Sequence, residues 1–185
     1  FPGGNTTQGF YSLYDYLPSH AENIFIIKGG PGTGTSTFMK KIGETMIDEG
    51  YSLEYHWCSS DNNSLDGIVI KELEVAFLDG TAPHLIDPQY PGAVDQIIDL
   101  GQYWDRDLLK EYRAEIRQLN DQIWEEFQRA YTDLAIAKSF HDKWESFYIA
   151  ALQQEKVTYQ LETLTTEIME NQPLAAQEGQ ARRLF

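Results

Sequence analysis

A glycine-rich segment near the start of the chain has residue types and a spacing that could bind phosphate. It runs from Gly29 to Thr37, after a short apolar run and before a helical pattern. Closely spaced glycines let successive backbone N–H groups turn toward one anion, and a helix that begins there adds unpaired N–H groups and the positive end of its dipole. The alternative is a turn that only joins a strand to a helix. The expected binding residues are Gly30, Pro31, Gly32, Thr33, Gly34, Thr35, Ser36 and Thr37.

The same segment fits the phosphate-loop pattern G-x-x-x-x-G-K-[ST] at every position except one. Thr35 stands where the pattern requires lysine. That lysine normally reaches the terminal phosphates and offsets charge in the transition state. The sequence therefore predicts a loop that can hold an anion but lacks its usual cation.

Two oxygen-bearing side chains are candidates for holding Mg²⁺ beside this loop. Ser36 occupies the position whose hydroxyl ligates the metal in phosphate loops. Asp79 ends an apolar run that begins at Val75. An acidic strand end downstream of a phosphate loop is typical of a carboxylate that binds Mg²⁺. We therefore expect Ser36 and Asp79 around the metal; the alternative is that Asp79 only starts a turn with Gly80.

Three further side chains follow predicted strands and are expected at the same edge of the sheet. Asp61 could act as a general base or contact a substrate, and a role as a turn cap explains it equally well. His84 could orient a water or sense the terminal phosphate, although a lone loop histidine is often structural. Cys58 has no second cysteine or metal-type spacing beside it, so we expect a buried, unreactive thiol. The catalytic candidates are Asp79, His84 and Asp61.

The charge balance argues against non-specific binding to nucleic acid or to anionic membranes, although it leaves a local basic groove open. The 185 residues include 14 Lys and Arg against 29 Asp and Glu, a formal net charge of −15. Such a surface repels nucleic acid and anionic membranes.

The chain has no apolar run of about 18 residues, so we expect no membrane span. A single cysteine fits a reducing cytoplasm. The opening residues lack the layout of a signal peptide, and the absence of an initial Met suggests a processed chain or a fragment.

The hydrophobic pattern predicts an α/β fold in which a parallel sheet is flanked by helices. We expect strands over 23–28, 51–58 and 74–79, and a helix from Phe38 to Asp48 that Gly50 ends. The first strand is an unbroken apolar run, as expected for a strand covered on both faces. A short helix is predicted over 10–17. Together these elements define a nucleotide-binding core over 1–104.

The second part of the chain is predicted to be helical. Between Tyr103 and Asn171 there is no Pro or Gly, and apolar residues recur at intervals of three and four. One straight helix of this length would extend on the order of 100 Å, so we expect a reversal at Ser139–Asp142 or Gln153–Lys156. The predicted helical hairpin, 105–171, would act as a lid, a partner-binding arm or a dimer contact, or serve only as structure. Residues 172–185 would return toward the core.

Several blocks taken together resemble a family of little-characterised bacterial P-loop ATPases, whose members look like two phosphate-loop halves in tandem. The blocks are 25–34, 58–61, 78–84 and 87–92. The resemblance implies binding of ATP with Mg²⁺, with the loop around the phosphates, Ser36 and Asp79 around the metal, and His84 and Asp61 at the same edge. The chain departs from the family at Thr35 and corresponds to one half. A homo-oligomer or a second phosphate-loop half is therefore a possible partner.

The number of strands is lower than a phosphate-loop sheet requires. Such a sheet usually has about five strands, whereas the sequence shows three clear ones. We expect the missing edge to come from the termini, from a second copy or from a second half.

The threonine at position 35 leaves three interpretations open. In the first, the protein is an ATP-binding P-loop NTPase or phosphotransferase in which Lys28, Lys40 or an arginine replaces the lysine. In the second, it is a non-catalytic nucleotide-binding or scaffold module that acts through the helical arm. In the third, lysine was changed to trap a bound state. Losing a transition-state charge costs roughly 3 kcal/mol, about a hundredfold in rate, so we expect a weak catalyst.

Overall fold

The computed structural model describes residues 1–14, 21–82 and 85–170. They separate into two compact units, Phe1–Thr132 and the residues from Asp133 onward. The first unit contains the sheet and the glycine-rich loop. The second unit is helical.

The first unit is built around a sheet of five strands, β3 to β7. β3 is parallel to both of its neighbours, β6 and β7, whereas β5 is antiparallel to β4 and β6. The order across the sheet is β4-β5-β6-β3-β7. The strands are β3 (Asn23–Lys28), β4 (Leu53–Trp57), β5 (Leu65–Ile70), β6 (Val75–Asp79) and β7 (Asp95–Asp99).

The α/β class predicted from the sequence is confirmed, but the sheet is mixed rather than wholly parallel. The connections from β4 to β5 and from β5 to β6 are short, and the second is only a 3-10 turn, Lys71–Leu73, followed by Glu74. Parallel neighbours need a crossover of a dozen or more residues, so these short connections require antiparallel pairing. β5 is therefore the one reversed strand of this sheet.

The fifth strand, β7, comes from a segment for which the sequence analysis predicted no element. It supplies the edge beside β3 that the sequence left open, so the described sheet reaches five strands within one chain. Asp95 is buried at its start and accepts hydrogen bonds from the amides of Gln89 (2.7 Å) and Tyr90 (2.5 Å). Acidic residues at both ends leave only Ile97 and Ile98 as an apolar signal, which explains why the pattern did not predict a strand.

A small hairpin precedes the sheet. It pairs β1 (Gly3–Thr6) with β2 (Gly9–Ser12). The helix predicted over 10–17 is wrong for residues 10–14, and its remaining residues, 15–17, lie outside the described residues. The Phe10 ring lies so close to Gly3 that a Cβ there would be 2.5 Å from it. Cross-strand packing of this kind outweighs the helical spacing of four apolar side chains.

One helix, α1 (Thr35–Asp48), covers one face of the sheet. Gly50 ends it with a φ of 91°, as predicted, and the Gly50 amide donates to the Ile47 carbonyl. The buried residues between helix and sheet form one core cluster. They are Ile27, Met39, Leu65 and Ile68.

The opposite face of the sheet is covered differently. Tyr14, Ala76 and Leu78 form a second buried cluster there, with Ile24 and Ile86 packed against it. Within the residues that the structure describes, no helix packs on this face. The expectation of helices on both faces is thus met on one.

Helices α2 (Arg106–Glu111) and α3 (Arg113–Ala151) follow the sheet. Asp105 caps α2, because its carboxylate accepts hydrogen bonds from the amides of Asp107 (3.1 Å) and Leu108 (3.0 Å). No side chain of α2 or α3 is buried.

The second unit contains the end of α3 and α4 (Gln154–Glu170). Of the two predicted reversal points, α3 continues through 139–142, and the helical pattern breaks at 152–153. A hairpin would bury a stripe where its helices meet, yet α4 has no buried residue among those described. The helical content is as expected, while hairpin packing remains a prediction.

No described helix is both long and apolar enough to cross a membrane. The predicted return segment, 172–185, lies outside the described residues.

Candidate functional site

The glycine-rich loop lies at the carboxyl end of β3, the strand between β6 and β7. Gly32 and Gly34 have φ angles of 81° and 84°, a left-handed conformation that residues with a Cβ rarely adopt. Thr33 closes the turn, since its amide and its hydroxyl both donate to the Gly30 carbonyl, at 3.2 and 2.8 Å. The loop conformation therefore depends on glycine at positions 32 and 34, and of these two only Gly34 is required by the phosphate-loop pattern.

Helix α1 begins directly after the loop with unpaired amides. Gly34 is its N-cap and has no side chain that could accept a hydrogen bond from the first turn. The first bond into the helix runs from the Phe38 amide to the Gly34 carbonyl, at 2.8 Å. The amides of Thr35, Ser36 and Thr37 precede it and have no intrahelical acceptor. These N–H groups can bind an anion at the helix start.

Asp79 faces the same helix start from the neighbouring strand. It pairs in register with Ile27 of β3 and is only 9% exposed. One carboxylate oxygen, Oδ2, accepts a hydrogen bond from the Thr35 hydroxyl at 2.9 Å. The other, Oδ1, accepts from the amide and hydroxyl of Thr81, at 2.9 and 2.6 Å. The structure thus brings together the two features, loop and acidic strand end, that the sequence predicted as one site.

The predicted metal ligands have the chemistry that Mg²⁺ requires. Ser36 Oγ accepts a hydrogen bond from the Leu65 amide at 3.0 Å, which ties α1 to β5. A hydroxyl accepts two hydrogen bonds and donates one, so Ser36 retains bonding capacity. Hydroxyl and carboxylate oxygens are the hard ligands that Mg²⁺ prefers. Ser36 and Asp79 therefore fit a magnesium ion by donor type.

The two lysines considered as substitutes for the missing one are engaged elsewhere. The Lys28 ammonium donates to the carbonyls of Gly80 (3.1 Å) and Ile86 (2.5 Å) and pairs with the Asp87 carboxylate at 3.0 Å. The Lys40 ammonium donates to the Asn63 carbonyl and lies 5.7 Å from the centroid of the Trp57 ring.

A groove beside the loop was not predicted from the sequence. It has a volume of about 440 Å³. The Trp104 indole forms part of it and contacts Gly30 so closely that a Cβ on that glycine would lie 2.5 Å from the ring. The sequence signal that could have indicated it is an aromatic residue, Trp104, directly before the helix N-cap Asp105. The lining residues are Lys28, Gly29, Ile97, Asp99, Gly101, Trp104 and Arg106.

The other predicted site residues are placed as follows. Asp61 is exposed in the β4–β5 connection, where its carboxylate accepts a hydrogen bond from the Asn63 amide at 3.0 Å. This bond is the one expected if Asp61 caps a turn, the alternative to a catalytic role. His84 lies outside the described residues. Cys58 is buried, and burial raises the pKa of its thiol, which fits the prediction of an unreactive cysteine.

Tyr14 and His56 form a pair of buried polar side chains, and the charge of Asp79 acts on Tyr14. The Tyr14 and His56 rings are 5.8 Å apart, and both residues are 5% exposed. Burial, followed by the charges of Asp66 and Asp79, holds the pKa of Tyr14 well above its usual value. Burial also lowers the pKa of His56. Both side chains are therefore neutral near pH 7, so they add no charge to the site.

Comparison with known proteins does not identify a relative. No family model matches the chain, and no curated protein or solved structure is significantly similar to it. The resemblance to bacterial P-loop ATPases therefore rests on the sequence blocks and remains a prediction.

Proposed function

We propose that the chain is a P-loop-type nucleotide-binding protein that holds ATP with Mg²⁺ in the Gly29–Thr37 loop and hydrolyses it slowly or transfers its phosphoryl group slowly. The observation that carries this proposal is the 2.9 Å hydrogen bond between the Thr35 hydroxyl and Asp79. It joins the helix start, where amides are unpaired, to the acidic strand end. The N–H groups that could bind an anion and the carboxylate that could bind a metal ion are then parts of one site.

The chemistry follows from the groups present. Backbone amides at the loop and the helix start would bind phosphate oxygens, and Ser36 and Asp79 would hold Mg²⁺. The metal, when bound, would offset phosphate charge. This role has added weight here because the chain is strongly acidic, with a net charge of −15, and Thr35 supplies no positive charge.

Slow turnover is the expected consequence of Thr35. A hydroxyl can donate one hydrogen bond, but it cannot neutralise the charge that develops on a transferring phosphoryl group. Lys28 and Lys40 are held by other partners. Binding is therefore expected to be preserved better than catalysis.

The test compares three proteins: the unaltered chain, Thr35→Lys and Thr45→Lys. Thr45 is exposed on the same helix but outside the loop, so it controls for added charge. We expect calorimetry to detect Mg·ATP binding to all three. We expect Thr35→Lys alone to raise ATP turnover, by about a hundredfold.

The possible outcomes separate the interpretations. Rapid turnover in the unaltered chain, with no gain from Thr35→Lys, would mean that another cation already serves. Absence of Mg·ATP binding in both the unaltered chain and Thr35→Lys would overturn the proposal.

A second function, that of a scaffold acting through the helical arm, is favoured by one observation. The helices from Arg113 to Glu170 expose many large apolar side chains, among them Trp124 (64%), Phe140 (70%) and Phe147 (66%). Surfaces of this kind commonly mark sites of protein association. This function would stand alone if the binding test failed in both proteins.

A further inference from the structure

We infer that the groove beside the glycine loop binds the nucleoside part of the nucleotide, with Trp104 stacking on the base and Arg106 pairing with a phosphate. The inference rests on the proposed function, because it places a nucleotide whose phosphates occupy the loop. It adds the class of ligand that the site selects, a purine nucleotide, and two recognition residues.

The first argument is position. β7 is parallel to β3, so the 3-10 turn that follows it, Leu100–Tyr103, emerges at the same edge of the sheet as the loop. Asp79 lies on the β6 side of the loop, and Trp104 lies on the β7 side. A ligand held by the loop would therefore have the Asp79 carboxylate on one side and the Trp104 ring on the other.

The second argument is that Trp104 is held in place against the loop. Its amide donates to the Gly101 carbonyl at 3.3 Å, and the next residue, Asp105, caps α2. Its ring edge packs on Gly30, where a larger residue would displace it. The side chain nevertheless remains 38% exposed. A fixed, partly exposed indole is a suitable platform for stacking a base.

The third argument is charge. Arg106 lines the groove, and no carboxylate within the described ranges forms an ion pair with it. Lys28 lines the same groove but is already paired with Asp87. Asp99, also in the lining, disfavours an anion close to it. The Arg106 guanidinium is thus the group with unused capacity for a phosphate oxygen.

The test measures binding of two probes, Mg·ATP and magnesium tripolyphosphate, by calorimetry. Tripolyphosphate has the phosphates without the nucleoside. Trp104→Ala should weaken ATP binding about tenfold, which is typical of a lost stack, and leave tripolyphosphate binding unchanged. Trp104→Phe, which keeps a stacking ring, should retain most of the affinity. Trp124→Ala is the matched control, because Trp124 is exposed on α3.

Arg106 is tested with the same two probes. Arg106→Gln should weaken both by roughly two- to fivefold, as expected for an exposed charge, whereas Arg117→Gln on α3 should weaken neither. With the unaltered chain, GTP should bind about as well as ATP, and UTP more weakly, because stacking depends on ring size.

Equal ATP affinity in Trp104→Ala and the unaltered chain would overturn this inference and leave the phosphate loop intact. Failure of the unaltered chain to bind either probe would overturn both proposals. Loss of both probes in Trp104→Ala would also contradict the inference, because it would indicate that Trp104 supports the loop rather than the base.

Discussion

At the scale of single residues, Thr35 is the informative position. Its hydroxyl bonds to Asp79, a carboxylate that is nearly buried. The residue that we propose to slow catalysis is therefore also a hydrogen-bond partner of the carboxylate that we propose to hold Mg²⁺.

Replacing Thr35 by Ala should lower the free energy of unfolding by about 1 kcal/mol, the usual net value of one hydrogen bond. Asp79 would keep its two bonds from Thr81. Urea unfolding measures the change. Thr37→Ala is the control, since it makes the same replacement at an exposed position of the same turn. Equal stability of the two variants would contradict the role assigned to Thr35.

The stability of the fold should fall as the pH is lowered below 6.5, because of His56. Burial lowers the pKa of His56 from 6.5 more than its hydrogen bond with Glu54 raises it. The unfolded chain then takes up the proton first, so acid favours unfolding. The stabilisation is complete above pH 6.5 and is lost as the pH falls toward the lower, folded-state pKa.

Urea unfolding at several values from about pH 8 to 5 tests this pH dependence. In this range Glu54 stays ionised, because its hydrogen bond with Lys71 holds its pKa below 4.5. His56→Gln should flatten the slope of stability against pH, while His141→Gln, at an exposed position, should not. Slopes are compared rather than absolute stabilities. An unchanged slope in His56→Gln would contradict the prediction.

At the scale of elements, the sequence predicted the parts that carry the loop and missed those that complete the sheet. β3, α1 and β6 have strong apolar patterns bounded by glycine or aspartate, so both local propensity and burial indicate them. β7 is short, lies at an edge and is flanked by acids whose hydrogen bonds appear only in the fold.

The candidate site shows the same division. Thr35, Ser36 and Asp79 follow from spacing along the chain. Trp104 and Arg106 reach the loop only because β7 pairs with β3, a long-range contact that spacing cannot show. Likewise, the reversal of β5 follows from short connections whose geometry the apolar pattern does not encode.

Gly67 tests the packing of this reversed strand. A Cβ at Gly67 would lie 3.0 Å from the Phe77 carbonyl oxygen and 3.1 Å from both Leu78 and the Tyr14 hydroxyl. Gly67→Ala should therefore cost about 1–3 kcal/mol of stability, as overpacking usually does. Thermal or urea unfolding measures the cost. Gly4→Ala is the control strand variant, because its nearest contact would be 3.8 Å away. Equal effects would contradict the described packing.

At the scale of the whole molecule, the core is confined to the first half of the chain. No described side chain after Asp95 is buried. The two buried clusters of the first unit therefore contain no described residue of the long helices. Helices in proteins gain most of their stability from packing an apolar face, and no described side chain of α2, α3 or α4 is buried.

A chain that ends at Thr132 should therefore fold with a cooperative transition whose midpoint lies within about 5 °C of that of the full chain, a shift of roughly 1 kcal/mol. Calorimetry measures both midpoints. Near-ultraviolet circular dichroism checks that the aromatic core is intact. An unfolded fragment would show that residues beyond 132 are required for the core.

One side chain connects the glycine loop with residues that follow β6. Lys28 is the last residue of β3, immediately before the glycine loop, and its ammonium donates hydrogen bonds to the carbonyls of Gly80 and Ile86. The Lys28 side chain therefore links the start of the glycine loop, where a phosphate would bind, to Gly80 and Ile86, which follow Asp79. A displacement of the loop by an entering anion would therefore strain the hydrogen bonds of Lys28 with Gly80 and Ile86, so we expect anion binding to be felt at these two residues.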